Sequence, residues 1–332
     1  MAPALPPLRY LGAADVRAAM PAIDERLRLA ELTMTALVSD AELPPKIGVH
    51  PRPADSFGHA MPAYLRGPDR DGVADGLGMK WVTGFPTNPS VGLPGIHALV
   101  LLNDPGTGVP VAILDGGPIT AQRTAAVSGV AIRRFAPPTG GRPAGVALIG
   151  AGVQGGSHVP VIGHVLGGCR LALFDPDPER AQGLAAIART TDGIGQVRVA
   201  AGPREAIAGA DVVVTAAAFG PVRQVMTNDW LAPEALVVPI DYATYAAAEV
   251  AREASLFLVD ERTQFLANRE AGLFEGYPDP TATLGEALLA ETPRPAGRVV
   301  VTHLGVGLAD VVFARAILAA AESAGLGMVL QR

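Results

Sequence analysis

The sequence has little of several things that mark other classes of protein. A single cysteine, Cys169, among 332 residues excludes an intramolecular disulfide and a metal site built from several thiolates, and we predict no metal site. The 32 acidic residues outnumber the 26 lysines and arginines; because no basic block stands out, we expect no nucleic-acid partner. No uncharged apolar run reaches 18 residues and no signal peptide is recognisable, so we expect no membrane span and a cytoplasmic location.

The chain does have ample apolar material for a packed core, because 49% of its residues are hydrophobic and only 17% are charged. The length suggests about two domains. Apolar positions at helical spacing predict a helix over residues 13–38. From residue 46 to 114 short apolar runs alternate with Gly, Pro, Asn and Asp, which predicts a strand-rich unit with a hairpin at residues 102–114.

The second half has a different pattern of predicted secondary structure. A helix is predicted over residues 118–134, and the linker "APPTGGRP" follows. Strand-like and helix-like segments then alternate, which is typical of a parallel sheet covered by helices. The candidate strands are "AGVALIG", "RLALFD", "QVRVA", "DVVVTAAA", "ALVVPID" and "SLFLVD". A long helix is predicted from "GLADVVFARAILAAAESAGLG" near the C-terminus.

The glycine motif "GAGVQG" indicates what this alternating strand–helix region binds. Gly150, Gly152 and Gly155 have the spacing G-x-G-x-x-G, directly after a strand-like run and at the start of a helix. Asp175 ends the next strand and is positioned to accept hydrogen bonds from an adenosine ribose. Its charge would repel a 2′-phosphate, so NAD(H) is favoured over NADP(H), although the nearby Arg180 softens that preference. The alternative is a glycine turn in an unrelated α/β sheet.

A longer stretch, residues 76–129, resembles the ornithine cyclodeaminase/mu-crystallin family. The matching residues are Lys80 in "MKWV", Asn88 in "PTN", the hairpin "GLPGIHALVLLNDPGTGVPVAILDG" and Arg123 in "TAQRTAAVSG". Gln154 in "LIGAGVQG" also fits the family's form of the dinucleotide loop. The resemblance extends from about residue 43 to the last helix.

This resemblance implies an α/β protein with two domains: a Rossmann dinucleotide-binding domain, and a smaller α+β substrate-binding and dimerisation domain completed by the C-terminal helix. We assign residues 119–303 to the first, and residues 1–118 with 304–332 to the second. The resemblance also implies a homodimer, and an active site in the cleft between the domains.

Site residues follow from the same resemblance. Lys80 matches the family's active-site lysine, Arg123 the arginine that binds the substrate carboxylate, and Asp241 the catalytic aspartate near the nicotinamide. The chemistry is consistent: an arginine fork pairs with a carboxylate, a partly dry lysine polarises a C=N or C=O group, and an aspartate can relay a proton. The dinucleotide site comprises the following residues: Thr124, Gly150, Gly152, Val153, Gln154, Gly155 and Asp175.

Two positions depart from the family pattern. Lys46 stands where the family usually has a second carboxylate-binding arginine, unless Arg52 contributes instead. His59 stands in "FGHAMPAYL" where ornithine-cyclising members carry a glutamate for the distal ammonium. Because histidine cannot replace an anionic partner, this position argues against ornithine cyclisation.

His59 and Lys46, with His50, would instead make this end of the pocket cationic. That suggests an imino acid with a second carboxylate, such as iminosuccinate. The alternative is that His59 merely packs beside Pro62 and Tyr64.

The sequence thus indicates NAD(H)-dependent reduction of a small 2-imino acid to the L-amino acid. The alternatives are an ornithine cyclodeaminase-type deaminating cyclase, and a non-catalytic, mu-crystallin-like protein that binds NAD(P)H or another ligand. Asp310, near the start of the last helix, is expected to be structural rather than catalytic, and Trp81 is expected to be a packing residue.

Overall fold

A computed structural model describes residues 5–67, 74–218 and 222–332. The strands are, in chain order, β1 (Leu8–Leu11), β2 (Ala41–Glu42), β3 (Ile47–Val49), β4 (Phe57–Leu65), β5 (Gly76–Gly84), β6 (Ile96–Asn103), β7 (Pro110–Asp115), β8 (Gly145–Ile149), β9 (Cys169–Phe174), β10 (Ile194–Val199), β11 (Val212–Thr215), β12 (Leu236–Pro239), β13 (Leu256–Val259), β14 (Ala282–Thr283), β15 (Val299–Thr302) and β16 (Met328–Leu330).

The α-helices are α1 (Ala13–Ala18), α2 (Ile23–Ser39), α3 (Gly116–Phe135), α4 (Val153–Leu166), α5 (Pro178–Arg189), α6 (Pro203–Ile207), α7 (Ala248–Arg252), α8 (Arg262–Glu270), α9 (Leu284–Leu289) and α10 (Gly307–Ser323). Across the described ranges, none of these helices combines the length and the hydropathy that crossing a bilayer requires. Contacts divide the chain into unit 1, residues 1–123 with 305–332, and unit 2, residues 124–304.

Unit 1 contains a mixed sheet with the strand order β16-β1-β7-β6-β5-β4-β2, and β3 pairs with β4. The pairs from β4 to β7 are antiparallel, as the alternating apolar runs predict, and the hairpin predicted at residues 102–114 is confirmed as β6 and β7. The C-terminal helix α10 packs on β4, β5 and β6. Met61, Val82, Val100 and Leu102 are buried on these strands; they share one face in register and form the core under α10.

The single helix predicted over residues 13–38 is wrong in one respect, because the structure has two helices there. α1 ends at Ala18 and α2 begins at Ile23. Pro21 lies between them. Since proline has no backbone N–H and its ring clashes with the preceding turn, it interrupts a helix that the apolar spacing alone would continue.

Unit 2 contains a sheet whose described strands are all parallel, in the order β10-β9-β8-β11-β12-β15-β13-β14. The six strands predicted from the sequence are confirmed, whereas β14 and the buried run "VVVT" of β15 were missed. The strand order reverses between β8 and β11. In open α/β sheets a crevice for ligands forms at such a reversal, beyond the carboxyl ends of the strands.

Candidate functional site

A buried ion cluster lies in unit 1, between β5 and the first turn of α10. The Nζ atom of Lys80 is 2.6 Å from Oδ2 of Asp310, and Nε of Arg123 is 3.2 Å from Oδ1 of the same carboxylate. All three side chains are nearly inaccessible, with Lys80 only 2% exposed. Lys80 reaches this position because it is opposite Met61 and Val100 in register, on the face of the sheet that α10 covers.

The cluster holds two cationic side chains and one carboxylate. Burial lowers the pKa of Lys80 to about 7; the Asp310 carboxylate opposes this shift, and Arg123 adds to it. Buried charges that are not balanced are costly, and a bound carboxylate would balance this excess. The cluster can therefore receive an anion, and its lysine can gain or lose a proton near neutral pH.

Arg123 is oriented by two residues that the sequence analysis did not assign to the site. Asp310 accepts from Nε, and this bond does not involve the terminal nitrogens of the guanidinium. Gly305 lies against those nitrogens with φ of +77°, and a Cβ atom there would come within 2.4 Å of Nη1. Asp310 was expected to be structural only. Because 187 residues separate it from Arg123, no local pattern indicated their contact.

His59 lies on β4, on the same face as Lys80, because it is opposite Val82 in register. Its ring stacks on Phe57 with centroids 4.6 Å apart. Strand alternation places Pro62 and Tyr64 on the other face, so His59 does not pack beside them. The alternative that His59 packs beside Pro62 and Tyr64 is therefore wrong.

The expectation of a cationic His59 is also corrected. Burial lowers its pKa to about 4, and the charges of Lys46, His50 and Lys80 lower it further. His59 is therefore neutral at pH 7 in the ligand-free protein. Lys46 is half-buried just before β3, whereas Arg52 is exposed. The smaller contributions from Lys46, His50 and Lys80 all have the sign of a positive potential at His59.

In unit 2 the glycines of the motif have different surroundings: Gly150 and Gly155 are required sterically, whereas Gly152 borders open space. Gly150 follows β8 with φ of +102°, and a Cβ atom would meet the Ala216 carbonyl oxygen at 2.4 Å. A Cβ on Gly155 would come within 2.0 Å of the Gly150 carbonyl oxygen, so this glycine allows α4 to pack closely on the strand. At Gly152, the N-cap of α4, no atom of the described chain other than the adjacent residues lies within 4 Å of such a Cβ.

This loop fits a dinucleotide pyrophosphate. The space at Gly152 is open, and the N-terminus of the 14-residue helix α4 offers unpaired N–H groups to an anion. Val153 in that first turn is 75% exposed, and the buried Oε1 atom of Gln154 has no hydrogen-bond partner among the residues that the structure describes. Thr124 is buried in α3.

Asp175 follows β9 and helps to shape the loop. Its carboxylate accepts from the backbone N–H of Ala151 at 2.7 Å and from that of Asp177 at 2.9 Å. A carboxylate has about four acceptor positions, so it retains capacity for ribose hydroxyls. Arg180 forms a salt bridge with Asp177 at 3.3 Å.

Asp241 lies just beyond β12, at the carboxyl edge of the parallel sheet, and is 1% exposed. Burial raises its pKa to about 6; hydrogen bonds from the backbone N–H groups of Ala217 and Tyr245 oppose this shift. Like Lys80, Asp241 is poised to exchange a proton near neutral pH. Lys80 and Arg123 belong to unit 1 and Asp241 to unit 2.

Among the described residues, no group of three or more His, Cys, Asp or Glu side chains is arranged to hold a metal ion. The fold, the glycine loop and the ion cluster thus define an α/β protein with a dinucleotide-type glycine loop and a buried cluster of two cationic side chains and one carboxylate. The chain belongs to the ornithine cyclodeaminase/mu-crystallin family, whose model matches residues 13–325.

Two similar proteins illustrate the range of this family. The nodulation efficiency protein NfeD of Rhizobium meliloti is 33% identical, over 98% of this chain and 98% of that protein. Ketimine reductase mu-crystallin of Mus musculus is 30% identical, over 77% of this chain and 78% of that protein.

Solved structures share the fold. The Δ1-pyrroline-2-carboxylate reductase of Thermococcus litoralis, in complex with NADH and L-proline, has a TM-score of 0.82 at 24% identity, covering 96% of this chain and 99% of that chain. An archaeal alanine dehydrogenase dimer with bound NAD has a TM-score of 0.82 at 24% identity, with 98% and 99% covered. The iminosuccinate reductase of Paracoccus denitrificans, in complex with NAD+, has a TM-score of 0.79 at 21% identity, with 98% and 100% covered.

Proposed function

We propose that this chain is an NAD(H)-dependent enzyme that reduces a small 2-imino acid to the L-amino acid. The observation that carries the proposal is the Lys80–Asp310–Arg123 cluster, which has a buried excess of positive charge and a lysine that titrates near pH 7. The mouse relative, at 30% identity over most of both chains, is named a ketimine reductase, which agrees with this chemistry.

Unit 1 residues would bind and polarise the substrate. The terminal nitrogens of Arg123 would pair with the α-carboxylate in the two-point geometry that a guanidinium favours. Lys46 would add a second, less directional contact with that carboxylate. Lys80 would orient and polarise the reacting C=N group, and its pKa of about 7 allows it to donate a proton.

Unit 2 residues would bind the dinucleotide and complete the proton transfer. The pyrophosphate would lie at the glycine loop, against Gly150, Gly152 and Gly155, with Thr124, Val153 and Gln154 beside it. Asp175 would accept from the adenosine ribose and disfavour a 2′-phosphate, so we propose a preference for NAD(H) over NADP(H). The nicotinamide, when bound, supplies the hydride. Asp241 would stabilise the positive iminium nitrogen and relay a proton.

For the substrate class we propose an imino acid with a second carboxylate, such as iminosuccinate. Burial is the largest cause of the low pKa of His59, and the charges of Lys46, His50 and Lys80 lower it further; an anionic group placed beside these charges would be attracted. Such a group would also raise the pKa of His59. Binding of a dianion should therefore take up a proton, and its affinity should increase as the pH falls toward 5.

A panel of NADH-oxidation assays tests both levels of this proposal. The substrates are iminosuccinate, 2-iminopropionate and cyclic imines, each at several pH values. We expect turnover of 2-imino acids in general, with the highest kcat/KM for iminosuccinate and a KM that decreases at lower pH. Equal or better rates on the monocarboxylates would reject the dicarboxylate class, and no turnover of any imine would reject the reductase.

We also propose a homodimer formed through the face of the unit 1 sheet away from α10. Ile47, Trp81 and Leu99 lie in one row across β3, β5 and β6, and are 66%, 41% and 45% exposed. Trp81 was expected to pack internally, but its exposure suits an interface core. The archaeal alanine dehydrogenase, similar in fold, is a dimer. Sedimentation of Trp81→Lys should show monomers; a dimer unchanged from wild type would reject this face.

A further inference from the structure

Three buried polar side chains of unit 2 form a hydrogen-bonded chain to which none of the proposed roles refers. Nε2 of His158 is 2.8 Å from the hydroxyl oxygen of Ser128, and Nε2 of His303 is 2.9 Å from the same oxygen. Nδ1 of His158 is 2.6 Å from the main-chain carbonyl oxygen of Gln154. His158 and Ser128 are 0% exposed, and His303 is 3% exposed.

The chemistry of the groups fixes the direction of this chain. A carbonyl oxygen can only accept, so Nδ1 of His158 carries the hydrogen and donates to Gln154. Burial lowers the pKa of His158 to about 4, so its ring is neutral and Nε2 accepts from the Ser128 hydroxyl. The Ser128 oxygen then accepts from Nε2–H of His303. One arrangement of hydrogens satisfies all three bonds.

One end of the chain is the first turn of α4, the turn that would bind the pyrophosphate. The Gln154 carbonyl also accepts from the Ser157 hydroxyl at 2.9 Å. Pro160 lies inside α4 and has no N–H for the carbonyl of Gly156, so the helix ladder is weakened just after this turn. The side-chain bonds to the Gln154 carbonyl therefore hold the first turn, two residues before the carbonyl that Pro160 leaves without its backbone donor.

The other end of the chain leads to the loop of Asp241. The residue after His303 is Leu304, whose N–H donates to Oδ2 of Asp260 at 2.9 Å. The Leu304 carbonyl accepts from the hydroxyl of Tyr242 at 2.8 Å. Tyr242 is adjacent to Asp241 and has φ of +52°, a strained conformation for a tyrosine that the surrounding contacts must hold.

We infer that the buried Ser128–His158–His303 chain, continued through Leu304 to Tyr242, is a positioning network that holds the first turn of α4 and the Asp241 loop in their active arrangement. This inference rests on the proposed function, because it assigns a purpose to the placement of those two elements. None of its members needs to touch substrate or dinucleotide, so they are positioning residues.

The first test measures NADH affinity by fluorescence titration of the full-length protein carrying Ser128→Ala. Removal of the hydroxyl leaves both histidines without their shared partner, and we expect the Kd for NADH to rise about tenfold. The control is Thr33→Ala, which removes another fully buried hydroxyl, on α2 of unit 1. It should lower thermal stability without changing the Kd.

The second test examines the other end of the network with Tyr242→Phe. We expect kcat to fall several-fold and the pH dependence of kcat to shift, because the Asp241 loop relaxes, while the Kd for NADH stays within twofold of wild type. If Ser128→Ala does not fold, His303→Leu and His303→Gln replace it. The glutamine retains an N–H donor for Ser128 and should bind NADH at least threefold more tightly than the leucine variant.

An NADH Kd unchanged by Ser128→Ala, with stability lowered as in Thr33→Ala, would overturn the inference in favour of a purely structural chain. Unchanged kcat and pH profile in Tyr242→Phe would overturn the Asp241 end of the network. A wild-type protein that does not bind NADH would instead reject the proposed function itself.

Discussion

The two units build the glycine loop and the ion cluster in different ways. Unit 2 forms its glycine loop from three glycines within six consecutive residues. The open space at Gly152 is not lined by side chains of the described residues. Unit 1 assembles its cluster from Lys80, Arg123 and Asp310, which come from a central strand, a long helix and the last helix. The glycine loop depends on local backbone conformation, whereas the ion cluster depends on tertiary packing over most of the chain.

The electrostatics of the units differ in direction but share one cause. Burial lowers the pKa of Lys80 to about 7 and raises that of Asp241 to about 6. Both shifts favour the uncharged form, since desolvation is the largest contribution in each case. The comparison teaches that two buried groups of opposite sign can both be brought near neutral pH, where proton transfer is most effective.

The largest effect is expected at Lys80. Lys80→Met should lower kcat for imine reduction by at least about 100-fold, because polarisation and proton donation are lost. The NADH Kd should change little, since the glycine loop is in unit 2. Lys80→Arg keeps the charge beside Asp310 but not the titration near pH 7, and should be similarly inactive. Stopped-flow turnover and fluorescence titration check this; near-normal kcat in either variant would contradict the assigned role.

A smaller effect, confined to dinucleotide binding, is expected at Gly152. Gly152→Ala places a methyl group in open space at the N-cap of α4, so the fold should be retained. The NADH Kd should nevertheless rise about 30-fold, or ~2 kcal/mol, because the pyrophosphate can no longer approach the backbone. Gly156→Ala is a matched control on the same helix, also with nothing within 4 Å. If both variants bind NADH equally, the pyrophosphate does not lie at this loop.

The contrast between the units also explains how far the sequence could be interpreted. The parallel sheet and its loop were predictable because β8, the three glycines and Asp175 form a short consecutive pattern. Gly305 and Asp310 were not, because their role depends on how α10 packs against β5 and on the position of Arg123. His59 is neutral because it is buried and because Lys46, His50 and Lys80 lie near it. Neither the burial nor these charge contacts can be predicted from residue spacing in the sequence.

The raised pKa of Asp241 also makes the stability of the fold depend on pH. In unfolded chains the Asp241 carboxyl has a pKa of 3.8, and folding raises it to about 6. Between these values the folded state binds more protons than the unfolded state, so stability falls as the pH rises through this window. Asp241→Asn should therefore raise the free energy of unfolding at pH 8 by on the order of 3 kcal/mol. Thermal melts should show this gain at pH 8 and none below pH 4, while activity is lost.

A gain that persists unchanged at low pH would mean that the aspartate charge is not what costs stability. The paired measurement of activity matters here, since a functional group that destabilises the fold is a common compromise at active sites.

The smallest effect is expected at Gly305. Gly305→Ala adds a methyl group that would collide with the Arg123 guanidinium and displace it. KM for the imino acid should therefore rise about tenfold, or ~1.4 kcal/mol, whereas kcat should change less. Gly92→Ala is the control: its φ is also +77°, but nothing lies within 4 Å of the added methyl group. Equal KM values in the two variants would attribute the change to backbone strain instead of displacement of Arg123.

The most direct test is the stoichiometry of NADH oxidation against amino acid formed, measured with purified protein and, in separate reactions, iminosuccinate or a diamino acid such as ornithine. A reductase consumes one NADH for each L-amino acid produced, and we expect that ratio. A cyclodeaminase would instead release ammonia from a diamino acid with no net change in NADH, and that result would contradict the account.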